Sequence, residues 1–329
     1  MISIITSIFS NDISKNFFSS ILEQKKETFE LIILTNNISS MLANKINEIE
    51  GNSNIKLQVI FTTRKIGFNE SIIEGIKLAK GSHAVIANPE EPLSKTFVID
   101  ATKIINNNKE VDIFEFKASF KGFEKWTPKK RCNLKPNYPF LISEYPKIVA
   151  FSFPFISNKI FKVSLAQFVS NKTTYIETNT HLSMQFLYML FLYANIYMYV
   201  DIPYLGILIK KEDLPNYLNF YKEWKDISSK YFLENKLLQE IEYSQIYSTE
   251  IMIPALYSHK RLLTVPIRFG TTKNLSFKIY EKNNRLRIQN FPSFKYTNKY
   301  MLLNLLETEY LNKSHPPNEW SRILKIFRE

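Results

Sequence analysis

The sequence predicts an α/β fold built on an open, mostly parallel sheet with helices on both faces. Two observations predict it. Short apolar runs alternate with amphipathic segments through the first half of the chain, and the connections between them are short. A length of 329 residues with 45% hydrophobic residues is also enough for one large domain with a sizeable core. Such sheets bind ligands at the carboxyl ends of their strands.

The first four strands are apolar runs of the buried type, and the first three are each followed by a helix pattern. The run ISIITSIF at 2–9 leads into a loop signal, and ELIILT at 30–35 ends at Asn36-Asn37. Helices are expected where apolar residues recur every three or four positions. In chain order we expect strand 2–9, helix 13–24, strand 30–35, helix 39–49, strand 56–61, helix 69–79 and strand 83–87.

The second half continues less regularly. Its run 182–200 is the only stretch of nearly sufficient length for a membrane span. Gln185, Asn195 and the Asp-Ile-Pro element that follows favour a buried core helix and a strand instead. The further predicted elements are helix 97–108, strand 111–117, a surface loop over 121–147, helix 181–194, short strands within 196–209, helices within 214–247, a hairpin at 276–291 with its turn at Asn283-Asn284, and helix 299–312.

Charge and cysteine content restrict the partners and the compartment. A net charge of +12 favours an anionic partner such as a nucleotide sugar, an acidic lipid surface or nucleic acid. Because zinc-finger spacing, an RNP-type strand and a dense Lys/Arg tract are all missing, we do not expect nucleic acid. The single cysteine, Cys132, excludes an internal disulfide, and the N-terminus lacks signal-peptide features. We therefore expect a cytoplasmic protein.

Four sequence blocks, in order and at suitable spacing, carry a family resemblance. They are ISIITSIFSNDISKNFFSSILEQKKETFELIILTNN, the segment from Ile66-Gly67 through GIKLAKG, HAVIANPEE, and SNKIFKVSLAQF followed by YMYVDIPYLGI. With them the chain resembles glycosyltransferase family 2, the inverting GT-A enzymes of bacterial polysaccharide and glycolipid synthesis. The resemblance implies a GT-A domain over 1–210 and a C-terminal helical and β-hairpin extension over 211–329.

A GT-A enzyme of this family holds a nucleotide base with a polar group and brings a divalent cation to the donor diphosphate. The cation neutralises charge on the leaving group, and hard oxygen ligands suit Mn²⁺ or Mg²⁺. Here the base-binding turn lacks the family's carboxylate, but Asn36 can hydrogen-bond a base edge. The Asp-x-Asp position reads Asn88-Pro89-Glu90, so Glu90 is the candidate metal ligand. The candidate nucleotide-binding residues are Thr35, Asn36, Gly67 and Asn88.

The resemblance also implies a carboxylate base that deprotonates the acceptor hydroxyl. The corresponding segment, 176–185, contains Glu177 and His181 as alternatives. Because the motifs are altered at all three sites, two functions follow. One is an active transferase that moves a sugar from a nucleotide sugar to a saccharide or lipid-linked acceptor with inversion. The other is an inactive GT-A protein that serves as a partner or acceptor-binding subunit of a second glycosyltransferase.

A basic and aromatic cluster within 117–131 allows two interpretations. It is a solvated loop with a few packed rings, or a lip that contacts the acceptor or an anionic membrane surface. A third possible function is a basic α/β module that docks on membranes through this cluster. If the cluster contacts the membrane, the protein lies peripherally at the inner face of the plasma membrane. The members are Lys117, Phe120, Lys121, Phe123, Lys125, Trp126, Lys129, Lys130 and Arg131.

Overall fold

A computed structural model gives the fold. It describes residues 1–9, 15–24, 27–64, 66–122, 126–172, 183–203, 207–209, 217–234, 236–252, 254–255, 281, 285, 297–303, 305–313 and 315–328. Within these residues an eight-stranded, mostly parallel sheet lies between two layers of helices. The predicted fold class, an open α/β sheet with helices on both faces, is confirmed.

The strands of the large sheet follow the order β3-β2-β1-β4-β8-β5-β9-β7. β1 to β5 and β9 run in one direction, whereas β8 and β7 are antiparallel to their neighbours. A short parallel pair, β6 and β10, forms separately. The strands are β1 (Ile2–Ile8), β2 (Phe29–Thr35), β3 (Ile55–Phe61), β4 (His83–Ile86), β5 (Ile113–Phe116), β6 (Phe120–Gly122), β7 (Pro139–Leu141), β8 (Lys159–Lys162), β9 (Ile196–Val200) and β10 (Ile207–Ile209).

The helices divide between the two faces of the sheet. The first, second and fourth cover one face, and the third, sixth and seventh cover the other. A π-helical turn, Ser248–Met252, follows the ninth helix directly. The α-helices are α1 (Lys15–Leu22), α2 (Ser40–Glu50), α3 (Phe68–Leu78), α4 (Phe97–Asn107), α5 (Lys147–Phe151), α6 (Val163–Ser170), α7 (Met184–Tyr193), α8 (Tyr217–Leu233), α9 (Leu238–Tyr247), α10 (Leu306–Leu311) and α11 (Ser321–Ile326).

Strand β1 shows why the apolar runs become central strands. Its side chains alternate between the faces, so Ile4 packs into one hydrophobic cluster and Ile5 into the other. A strand buried on both faces needs a continuous apolar sequence, which the run 2–9 provides. Since β1 has β2 on one side and β4 on the other, the chain changes direction across the sheet between these strands. This switch point fixes where a ligand crevice opens.

The prediction for the run 182–200 is confirmed, because it forms the helix α7, which is buried from Met184 to Leu192, and the strand β9. No helix in the described part of the chain combines the length and the apolar character needed to cross a bilayer. The prediction of a surface loop over 121–147 is wrong in part. Trp126, Leu134 and Ile142 are buried, and β7 forms one edge of the sheet. The hairpin predicted at 276–291 lies outside the described residues, apart from Glu281 and Arg285, which are both helical.

The described C-terminal residues pack into the same hydrophobic cluster as α7. Trp224 and Tyr231 of α8, Tyr247 of α9 and Tyr310 of α10 all belong to it. A buried ion pair adds to this contact, because Arg131 Nε donates to Glu307 Oε1 at 2.7 Å. The C-terminal segment is therefore part of the core that supports the sheet.

Candidate functional site

The candidate site lies at the carboxyl edge of the sheet, at the switch point. The strands β2 and β4 flank β1, so their carboxyl ends are about 10 Å apart. The turn at Asn36 follows β2, and the turn at Asn88 follows β4. The sheet therefore places Asn36 and Asn88 at one edge, as the sequence predicts.

In the turn after β2, the Thr35 side chain is hydrogen-bonded within the turn, whereas the Asn36 side chain has a buried oxygen without a hydrogen-bond partner among the described residues. The Thr35 hydroxyl donates to the Asn37 carbonyl at 2.8 Å, so its hydrogen is used within the turn. The Thr35 carbonyl accepts the Thr62 N–H at 2.8 Å, which joins the turn to the end of β3. Asn36 Oδ1 is buried and has no hydrogen-bond partner among the described residues. A buried acceptor without a partner is costly, so such atoms in native proteins call for an explanation, such as a functional role or a bound group.

The turn after β4 is closed by its own backbone. Asn88 Oδ1 accepts the Glu90 N–H at 3.0 Å, and the Asn88 carbonyl accepts the Glu91 N–H at 3.1 Å. Asn88 and Glu90 are half-buried. In the described ranges no group of three or more His, Cys, Asp or Glu side chains is able to hold a metal. The side-chain oxygens of Asn88 and Glu90 suit a cation that is shared with a diphosphate, since Mg²⁺ is usually bound by one or two carboxylates plus substrate phosphates.

Gly67 is the N-cap of α3 and has an extended backbone, with φ −75° and ψ 172°. The first turn of α3 lies against the end of β1, since Ser71 Oγ is 2.9 Å from Ser7 Oγ. The helix therefore begins at the same edge as the two turns. Arg64, in the preceding loop, pairs with Glu70 of α3 at 2.8 Å.

A second set of polar groups lies along this edge at the ends of β5 and β9. Asp201 accepts a hydrogen bond from Tyr199 Oη at 3.2 Å, and its Oδ1 is 3.9 Å from Lys117 Nζ. Lys130 Nζ lies 4.5 Å from the centroid of the Tyr199 ring. Burial lowers the pKa of Lys130, and Asp201 opposes this shift. From the sequence, Lys117 and Lys130 were assigned only to the basic and aromatic cluster, and Tyr199 and Asp201 were not proposed as site residues. Lys117 and Asp201 directly follow strands, and that placement was a usable signal.

A buried polar network supports the middle of the edge. The carboxylate of Glu115, in β5, accepts the Phe153 N–H at 3.0 Å and lies 3.6 Å from Lys159 Nζ. Burial lowers the pKa of Lys159 to about 8, and Glu115 opposes this effect. The network fixes the loop that enters β8. In that loop Ser157 Oγ is buried and has no hydrogen-bond partner among the described residues, so it is a further polar group at the site that the sequence analysis missed.

The candidate bases Glu177 and His181 lie outside the described residues. The structure describes the end of their segment, where Ser183 has the left-handed φ of 43° and its hydroxyl is buried. Non-glycine residues in this conformation are strained and are enriched at functional sites. The N–H of Gln185, two residues on, donates to Glu223 Oε1 at 2.8 Å and so connects the start of α7 to α8.

The prediction of an exposed lip within 117–131 is wrong for three of its members. Phe120 and Trp126 are buried and stack on each other, with ring centroids 5.1 Å apart. Arg131 is buried in the ion pair with Glu307. The alternative of a few packed rings is therefore correct for Phe120 and Trp126. Residues 123–125 lie outside the described ranges.

Comparisons with known proteins show which fold the chain has. No protein-family model and no curated protein matches the chain. The chain is similar to a crystal structure of residues 1–349 of S. aureus TarS, with TM-score 0.60 and 14% identity, covering 99% of this chain and 89% of TarS. TarS in complex with UDP-GlcNAc matches with TM-score 0.59 and 14% identity over 87% of this chain and 83% of TarS. TarS in complex with UDP matches with TM-score 0.53 and 14% identity over 99% and 89%. The chain thus has the fold of a protein that holds UDP-GlcNAc in one of its structures.

Proposed function

We propose that the chain is a GT-A glycosyltransferase that transfers a sugar, with inversion, from a nucleotide sugar to a saccharide or lipid-linked acceptor. The observation that carries the proposal is Asn36 Oδ1 at the switch point of the sheet, which is buried and has no hydrogen-bond partner in the part of the chain that the structure describes. A uracil ring carries an imide N–H that is able to donate to this atom. The same fold in TarS with UDP-GlcNAc bound supports a nucleotide sugar as the ligand.

The turn from Asn88 to Glu91 is the proposed diphosphate side of the site. It lies two strands across the sheet from the Asn36 turn, with β1 between them, so a donor bound across β1 brings its diphosphate to this turn. Glu90 is the proposed ligand of Mn²⁺ or Mg²⁺, which when bound neutralises charge on the leaving diphosphate. Asn88 holds the turn in shape through the Glu90 N–H, and the backbone of Gly67 borders the same edge.

The ends of β5 and β9 are the proposed acceptor side. Ser157 offers a hydroxyl there, and Lys117 and Asp201 form a charged pair beside it. Glu177 or His181 is the proposed base that removes the proton of the acceptor hydroxyl, as the family resemblance implies. The protein is proposed to act in the cytoplasm, at the inner face of the membrane, in cell-surface polysaccharide or glycoconjugate synthesis.

Calorimetry with UDP tests the donor site. We expect binding that strengthens with Mn²⁺ and that weakens about tenfold in Asn36→Ala, because one hydrogen bond to the base is lost. Folding stability of this variant stays unchanged, since Asn36 Oδ1 has no described partner to lose. Asn37→Ala is the matched control, because the neighbouring side chain is exposed. If neither UDP nor a panel of other nucleotides gives heat, the proposal is wrong.

A second candidate function is an inactive GT-A protein that works with another glycosyltransferase. It is favoured by Asn88, a neutral side chain whose oxygen is already bonded to the Glu90 N–H. Such a protein binds neither donor nor cation productively. Transfer assays with nucleotide-sugar panels separate the two functions. Turnover that Glu90→Gln abolishes supports the enzyme, and isolation of the chain with a second transferase in the absence of turnover supports the inactive partner.

A further inference from the structure

The end of α8 carries two strongly exposed, adjacent apolar side chains. Leu233 is 81% exposed and Phe232 is 69% exposed. Phe168, near the end of α6, is 46% exposed. Adjacent large apolar side chains that remain in water mark an interaction surface when they form one patch.

Direct contacts join the ends of α6 and α7 to Glu234, the residue that follows Phe232 and Leu233 in the chain. The rings of Phe168 and Tyr193, at the ends of α6 and α7, meet edge to face with centroids 5.2 Å apart. Tyr193 Oη donates to Glu234 Oε1 at 2.9 Å, and Glu234 directly follows α8. Lys172 Nζ lies over both rings, 4.5 Å from the Phe168 centroid and 4.9 Å from that of Tyr193. We call this patch the α8-end surface; its members are Phe168, Lys172, Tyr193, Phe232 and Leu233.

The outward face of α8 adds positive charge beside this patch. Lys222 and Lys225 are exposed, whereas the inward positions of the helix are buried. The acidic residue that follows Lys225, Asp226, is already paired, because its Oδ2 lies 3.6 Å from Lys230 Nζ and accepts a hydrogen bond from Gln185. The helix α8 thus packs one face against the core, and its outer face carries exposed lysines and, at its end, exposed apolar residues. The buried inward residues are Glu223, Trp224, Ile227 and Tyr231.

We propose that the α8-end surface binds the anionic phospholipid headgroups of a membrane. Phe232 and Leu233 enter the headgroup boundary, and the aromatic ring of Tyr193 lies at its border, where tyrosines are enriched. Lys172, Lys222 and Lys225 contact lipid phosphates. Charge complementarity favours this partner. Three exposed lysines, Lys172 of the surface and Lys222 and Lys225 beside it, outnumber the exposed carboxylate next to the surface, Glu234.

Sedimentation of the full chain with lipid vesicles tests the proposal. We expect binding to phosphatidylcholine vesicles that contain phosphatidylglycerol, weak binding to phosphatidylcholine alone, and loss of binding at high salt. The double variant Phe232→Ser/Leu233→Ser lowers the affinity more than tenfold, since two apolar anchors are removed. The double variant Lys222→Gln/Lys225→Gln lowers it about fivefold per lysine and flattens its salt dependence.

The matched control is Phe61→Ser at the end of β3, where Phe61 is 58% exposed. In the sheet order β3 is the strand farthest from β9, the strand that begins just after Tyr193. This control binds vesicles as the original chain does, and circular dichroism verifies that every variant is folded. The proposal is overturned if anionic vesicles do not bind, or if both double variants bind unchanged. It is also overturned if Phe232→Ser/Leu233→Ser abolishes a concentration-dependent dimer instead of vesicle binding. Nucleotide is left out, so the result does not depend on the donor site.

Discussion

At the scale of single residues, His83 shows how burial decides protonation. It begins β4, is almost fully buried, and packs its ring against Phe114 with centroids 5.7 Å apart. Its Nε2 lies 3.3 Å from the Val111 carbonyl, and its Nδ1 lies 3.2 Å from Ser82 Oγ. Burial lowers the pKa of His83 to about 4. The imidazole is therefore neutral in the folded protein at neutral pH.

Acidification is expected to destabilise the fold through this residue. The unfolded chain binds a proton at His83 near pH 6.5, but the folded protein does so only near pH 4. The free energy of unfolding therefore falls as pH decreases from 6.5 to 4, by at most about 3 kcal/mol. His83→Leu removes this part of the pH dependence. Urea unfolding at several pH values measures the difference, and identical slopes for both chains would contradict the assignment.

The position of the proposed donor-side residues was predictable, because the carboxyl ends of parallel strands meet at one edge. Asn36 and Asn88 each end an apolar run, and the structure places both at the switch point. Ser157 was not predictable. It reaches this edge only because the antiparallel strand β8 inserts between β4 and β5, and such a long-range pairing leaves no local pattern.

At the scale of elements, the contact between α3 and β1 depends on a glycine. A Cβ built on Gly75 would lie 2.4 Å from Ile5 Cγ2 and 3.2 Å from Leu34 Cδ1. Both neighbours are fully buried, so they have little room to move. The helix thus packs closely on the strand at the centre of the sheet, and it begins beside the candidate site.

Gly75→Ala is expected to lower the free energy of unfolding by about 1–3 kcal/mol, because the added methyl overpacks the core. Gly51→Ala is the control. There the backbone is right-handed helical with φ −67°, and the nearest atom to an added Cβ is 3.6 Å away. This control is neutral or slightly stabilising. Chemical denaturation compares the two, and equal stabilities would show that α3 does not pack this closely.

The elements also show where sequence patterns stop being informative. The strands β1 to β4 are long or continuously apolar and were predicted within one residue at each end. The strands β6 and β7 have three residues each, and β7 contains Pro139. Their positions follow from pairing with β10 and β9 rather than from local periodicity. A composition rich in Lys and Pro therefore indicated a loop where the tertiary structure forms an edge strand.

At the scale of the whole molecule, a buried ion pair between Arg131 and Glu307 connects the C-terminal segment to the sheet domain. Arg131 donates to Glu307, to the Ser152 carbonyl at 3.1 Å and to the Ala150 carbonyl at 3.3 Å. Tyr243 Oη donates to Glu307 Oε2 at 3.0 Å. We propose that residues 1–210 carry the transferase chemistry and that 211–329 form an extension without an independent core.

Removal of one partner of this ion pair is expected to lower the folding stability strongly. Glu307→Ala leaves the Arg131 charge buried without its carboxylate, which costs about 3–5 kcal/mol of stability. Glu309→Ala, at an exposed position of the same helix, is the control and is near neutral. Thermal unfolding of both variants measures the effect. If the two variants melt together, the ion pair does not hold the C-terminal segment.

Hydrogen exchange with and without UDP-GlcNAc tests the central claim most directly, because it locates the donor site on the sheet. We expect the bound nucleotide sugar to slow amide exchange in the turn after β2, around Asn36, and in the turn from Asn88 to Glu91 after β4. Exchange at the opposite edge, around His83, remains unchanged. Protection confined to that opposite edge, or no protection at saturating UDP-GlcNAc and Mn²⁺, would contradict a donor site at the switch point.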